Sequence, residues 1–179
     1  MIYATPPGAR AVLYLRRLRY TSLLILPFVV SACATKLGTE HTYVVAKGVY
    51  AAHEQTCRRD AQNVQYCDLT NIKLVTPSSN VNAKLGTQFG VTFELVGRHE
   101  TSTVKLREIW RYPKPGVKSP TVDKPLQETI SYRDVPTAGP NTLIYSFDDP
   151  WELVPGVWTL ELWDGSGKLL SENFNVVAP

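Results

Sequence analysis

Apolar residues recur at every second position in the segment 88–95, where Phe89, Val91, Phe93 and Leu95 share one face and Gln88, Thr92 and Glu94 take the other. That alternation predicts a half-buried strand. Similar runs predict strands over residues 43–51, 69–76, 103–112, 127–133, 142–147, 156–163 and 168–177. In the segment 103–112 the pattern passes through Val104 and Leu106, then slips phase at Ile109 and Trp110, which predicts a bulge near Arg107–Glu108. Turn chemistry separates the runs. Asp164-Gly165-Ser166-Gly167 supplies the positive φ of a tight hairpin, and the proline-rich segments 113–120 and 136–140 cannot continue a sheet.

No amphipathic helix of twelve or more residues stands out. Eight short strands in roughly 135 residues, with breakers between them, predict an all-β, immunoglobulin-like Greek-key sandwich, with a small β-barrel as the alternative. The 179 residues suit one such domain, expected over 41–179.

The N-terminal 32 residues differ in kind. They carry Arg10, Arg16, Arg17 and Arg19 and no acid, followed by a short apolar run over 21–30. Ten residues of helix span only about 15 Å, half a bilayer's hydrocarbon thickness, so the layout is that of a secretory signal rather than a span. Val30-Ser31-Ala32-Cys33 resembles the lipobox of bacterial lipoproteins. The resemblance implies removal of residues 1–32 and a diacylglyceryl thioether on Cys33, with residues 33–40 as a tether. No other cofactor and no metal are expected. Ala34, which is not Asp, resembles an outer-membrane sorting signal and implies the periplasmic face of that membrane.

Lipid on Cys33 leaves Cys57 and Cys67. In an oxidising compartment two thiols ten positions apart are expected to pair, stapling an irregular polar connection between two strands. A zinc site using His53, Cys57 and Cys67 is the alternative, and it lacks an evident fourth ligand.

The whole chain carries +3, of which the leader contributes +4, so the body is close to neutral. Nucleic-acid binding by counterion release is thereby disfavoured. Seven basic residues against three acids between Arg98 and Lys124, and six acids with no base between Asp134 and Gly167, are expected to lie on neighbouring strands and neutralise each other. No Walker loop, Rossmann fingerprint or His-Glu-x-x-His occurs, and the three histidines, His41, His53 and His99, lie in polar settings. Gly165-Ser166-Gly167 reads as a turn, not a nucleophile elbow. No catalytic residue is therefore expected. The alternative enzyme is a carboxylate-dependent hydrolase of envelope glycans at Asp148, Asp149 and Glu152 beside Trp151, and a third option is a carrier of lipid or a small ligand.

One exposed aromatic stands apart. If Trp158, Leu160 and Leu162 point inward, Thr159, Glu161 and Trp163 lie on the outer face, where an indole is a candidate contact for a partner protein, a glycan or a lipid headgroup zone. Trp110, Trp151 and Trp158 are expected in the core. These features favour a non-catalytic module that engages an envelope protein or glycan.

The segments 83–91, 147–152 and 155–165, in particular Phe147-Asp148-Asp149-Pro150-Trp151-Glu152 and Pro155-Gly156-Val157-Trp158, are similar to a family of small exported bacterial proteins known as a domain of unknown function. The resemblance covers about residues 43–177. It implies a compact all-β exported domain and brings no activity or site residues with it.

Overall fold

The structure is a computed structural model, and it describes residues 38–98, 102–165 and 167–178. The lipobox, Cys33, His99 and Ser166 lie outside the described residues.

Among the described residues, nine strands form two sheets. The first contains β1 (Gly38–Arg59), β2 (Gln65–Thr76), β4 (Gln88–Arg98) and β7 (Asn141–Ser146), in the order β2-β1-β4-β7. The second contains β3 (Asn80–Asn82), β5 (Thr103–Arg111), β6 (Glu128–Pro136), β8 (Gly156–Asp164) and β9 (Gly167–Val177), in the order β3-β9-β8-β5-β6. Each sheet ends in edge strands, so this is a sandwich and not a closed barrel. A 3-10 turn, Pro150–Glu152, joins β7 to β8.

The period-2 pattern of β4 decides the core. Phe89, Val91 and Phe93 are wholly buried, and Phe89 meets Phe147, Phe174, Trp110 and Trp158 at ring separations of 5.1, 5.1, 5.5 and 6.1 Å. The Trp158 indole donates to the Val154 carbonyl at 2.8 Å, so the largest buried side chain leaves no polar atom unpaired. Gly90 has a steric purpose. A Cβ there would stand 1.9 Å from the Leu143 carbonyl oxygen, so only glycine permits the β4–β7 approach.

Three expectations change. β5 carries no bulge, because it pairs without a slip with β6 from Thr103 to Arg111 and with β8 from Arg107 to Arg111. The alternation runs through Val104, Leu106, Glu108 and Trp110, and a buried carboxylate at the third of these positions imitates a phase change. Cys57 and Cys67 are joined as expected, yet they do not staple an irregular loop. They are directly opposed partners within the β1–β2 ladder, and residues 60–64 make the turn. Finally, β3 is an extra strand of three residues parallel to β9, and β1 starts at Gly38, inside the stretch expected as tether.

Candidate functional site

β1 has two partners in succession. Its first half, Gly38 to Tyr50, pairs with β4, and from Val49 onward it pairs with β2. Beyond Tyr50 the β1–β2 hairpin is an arm that leaves the first sheet. Two sequence features keep it a hairpin: the disulfide, and the Asp60 carboxylate, which accepts the N–H groups of Gln62 and Val64, both at 2.9 Å. The tip docks on the loops of the sandwich. The Arg59 guanidinium pairs with Asp149 at 2.6 Å, Ser119 Oγ donates to the Gln62 carbonyl at 2.6 Å, and Val64 is buried.

Between the arm and the sandwich edge lies a cleft of about 280 Å³, walled by Gln65, Tyr66, Leu69 and Ile72 of the arm, Trp110 of β5, Thr129, Ser131 and Arg133 of β6, and Ile144 and Tyr145 of β7. Among the described residues, five carboxylates reach it, from Glu54, Asp68, Glu108, Asp148 and Glu152, against one cation, Arg133. The two deepest are spoken for. Glu108, 3% exposed, accepts the Trp110 indole at 2.8 Å, the Ser131 hydroxyl at 3.1 Å and the Arg133 guanidinium. Glu152, 2% exposed, accepts the Tyr145 hydroxyl at 2.7 Å and the N–H groups of Asp148 and Asp149 at 2.8 and 2.9 Å, closing a capping box on the 3-10 turn.

Asp148 accepts the Ser146 hydroxyl at 2.6 Å, and burial pushes its carboxyl above the ordinary range. Burial also raises Glu152, against the three hydrogen bonds that favour its charged form. Tyr66, half-buried beside Asp60, is pushed up to about 12 and stays a neutral phenol. Of the three acids singled out in the sequence, Asp148 and Glu152 line the cleft, while Asp149 is directed to Arg59. They hold the turn and the arm.

Among the described residues, no zinc set forms around His53. Glu54, Cys57 and Cys67 bring ligand atoms within 4.8 Å of one another, but both sulfurs are in the disulfide and offer no thiolate.

Along β8, Trp158, Leu160 and Leu162 are buried in the core while Thr159, Glu161 and Trp163 lie on the outer face of the second sheet, as the pattern predicts. Glu161 is nevertheless covered. It accepts Lys168 Nζ at 2.8 Å, the Trp163 indole at 3.1 Å and Arg111 at 3.3 Å; burial alone would raise its carboxyl, but these donors together lower it. Thr159 Oγ1 bonds the Asn173 amide oxygen at 2.8 Å. The Arg111–Glu161 pair joins the basic and acidic sequence blocks across neighbouring strands. Trp163 lies between two cations, with Arg107 5.1 Å and Lys168 5.2 Å from its ring centre. Trp110 is buried and Trp151 packs half-buried against the core.

A family model described as a domain of unknown function, DUF3859, matches residues 39–176. The chain belongs to DUF3859. That span agrees with the 43–177 expected from the sequence segments. Among solved structures, the DUF3859 chain is similar to the crystal structure of an immunoglobulin-like protein from Pseudomonas aeruginosa, with a TM-score of 0.56 and 22% identity, covering 78% of this chain and 99% of that one. At that identity the likeness establishes the fold: an immunoglobulin-like sandwich. No curated protein sequence matches this DUF3859 chain.

The residues that sequence reasoning missed are Glu108, Arg133 and the arm residues Tyr66 and Leu69. A carboxylate at an inward strand position was the available signal for Glu108. Nothing local signals the arm wall, because it depends on where the hairpin folds.

Proposed function

We propose that this protein is a non-catalytic binding module of the bacterial cell envelope, held by a diacylglyceryl group on Cys33 at the periplasmic face of the outer membrane. The family and the immunoglobulin-like fold are compatible with a module that carries no chemistry of its own. The observation that carries the reading is the state of the carboxylates. A hydrolase needs one acid and one base free to exchange protons with substrate. Here Glu108 and Glu152 are buried and filled by donors from the fold, Asp149 is engaged with Arg59, Asp148 and Glu54 accept Ser146 and the Gln88 amide, and Asp68 is exposed to solvent. What the chain offers outward is surface: a walled cleft and an aromatic-cation face.

Two measurements test this. Metabolic labelling with a palmitate analogue should mark the wild-type chain and spare Cys33→Ser, which should accumulate unprocessed or soluble. Labelling of neither, with the wild type in the cytosolic fraction, would remove the anchor. Incubation of the purified protein with envelope glycans should release no fragments. Fragment release that disappears in Asp148→Asn would replace the binding reading with hydrolysis.

A further inference from the structure

The strand register aligns four outer-face residues of the second sheet in one row. Tyr132 on β6 is the partner of Arg107 on β5, Arg107 is the partner of Trp163 on β8, and Trp163 is the partner of Lys168 on β9. The row alternates phenol, guanidinium, indole and ammonium. Strands about 4.8 Å apart place the two cations about 10 Å from each other, with the indole between them.

The two cations differ. Lys168 is paired with Glu161. Arg107 has no carboxylate partner among the described residues, and its Nε is covered and without an acceptor. Arg111 and Arg133, the other arginines of this sheet, are both in ion pairs. A guanidinium held against an indole, whose Nη groups have no acceptor among the described residues, is arranged to offer those donors to an oxyanion while its covered Nε stays out of reach. Beside it Tyr132 is 67% exposed, and its hydroxyl is a further donor.

We propose that this row is a phosphoryl-binding face, with Arg107 as the principal contact and Tyr132 and Lys168 as flanking donors. A tetrahedral oxyanion presents acceptors to an arginine fork and to a neighbouring hydroxyl at once, whereas a carboxylate presents two in one plane. The phosphoryl group comes from a soluble phosphate ester or from a phospholipid headgroup. The exposed Ile130 and Val157 on the same face give the second source an apolar rim. This deepens the binding reading and does not depend on the lipid tail, so failure of labelling at Cys33 leaves it standing, and its own failure leaves the anchor standing.

The test is a titration of the full chain carrying Cys33→Ser, followed at the indole N–H signals of the four tryptophans by NMR. Inorganic phosphate, glycerol 3-phosphate and dihexanoylphosphatidylglycerol below its micelle concentration are added separately. The Trp163 signal should shift saturably while the buried Trp158 signal stays fixed and reports an intact core. Arg107→Gln should weaken binding about tenfold or more, and Arg107→Lys, which keeps the charge and loses the fork, should weaken it as well. Saturation by phosphate or glycerol 3-phosphate supports a soluble ester, and saturation by the phosphatidylglycerol alone supports a headgroup. Absence of a Trp163 shift with all three, an equal response to acetate, or an undiminished response in a folded Arg107→Gln would overturn the proposal.

Discussion

The Trp110 indole donates to the Glu108 carboxylate two residues earlier on the same strand, at 2.8 Å, and both side chains are buried. Residues i and i+2 of a strand share a face, so the sequence itself brings this acceptor to this donor. Ser131 and Arg133, also two apart, arrive from β6 to fill the other oxygen. The edge of the sandwich is thereby closed by a polar network where an apolar pair would otherwise sit.

Removing Glu108 should be costly for that reason. Glu108→Ala strands three donors, one of them charged, and is expected to destabilise the domain by roughly 3–5 kcal/mol in urea unfolding. Glu108→Gln retains one acceptor and should cost about 1–3 kcal/mol. Equal stability of Glu108→Ala and wild type would show that the network carries no weight.

The disulfide closes a short loop of the arm. Non-reducing mass spectrometry should find a peptide linking Cys57 to Cys67, and the double Cys→Ala variant should lose about 2–3 kcal/mol. Two alkylatable thiols in the native protein would contradict the pairing.

Two carboxylates should give opposite dependences on pH. Asp148 is raised above 3.8 by burial, so its contribution is complete below that value and is lost as pH climbs through the folded pKa. Glu161 is lowered below 4.5, so its contribution is complete above that value and is lost as pH falls through the folded pKa. Urea midpoints measured from about pH 3 to about pH 7 should therefore move against wild type relative to Asp148→Asn on raising pH, and against wild type relative to Glu161→Gln on lowering it. Parallel curves for the two variants would refute the assignment.

Gly90→Ala places a methyl group against the Leu143 carbonyl and should separate β4 from β7. The expected loss is about 3 kcal/mol, the upper end for overpacking, read from thermal or urea unfolding. The same substitution at Gly167, which like Gly90 has no positive φ and where a Cβ would meet only the Asp164 carbonyl oxygen at an ordinary 3.5 Å, is the control without a clash.

Most of the sandwich was legible because burial follows a local rule. Phe89, Val91 and Phe93 announced both a strand and its inward face, and the outward placement of Trp163 followed from Trp158, Leu160 and Leu162. The misreadings have one origin, in that a polar residue at an inward position breaks the visible rhythm without breaking the strand. Glu108 imitated a bulge in this way. The arm was hidden for a related reason, since Asn71 to Thr76 are exposed on both faces and carry no one-sided pattern. Tyr132, Arg107, Trp163 and Lys168 are spread over more than sixty positions, and only the ladder of pairings makes them neighbours.

The handover of β1 from β4 to β2 has a mechanical consequence. Register slips fall between Val49 and Tyr50 and between Ala51 and His53, next to Gly48, whose absent side chain leaves room for the Thr76 carbonyl. A strand bends and twists more sharply at such irregularities, so they set the angle at which the arm leaves β4 to reach Ser119 and Asp149 at its tip. The width of the cleft is therefore set in part by a bend outside its lining, and a side chain at Gly48, which would meet the Thr76 carbonyl, should alter that width without touching the cleft walls.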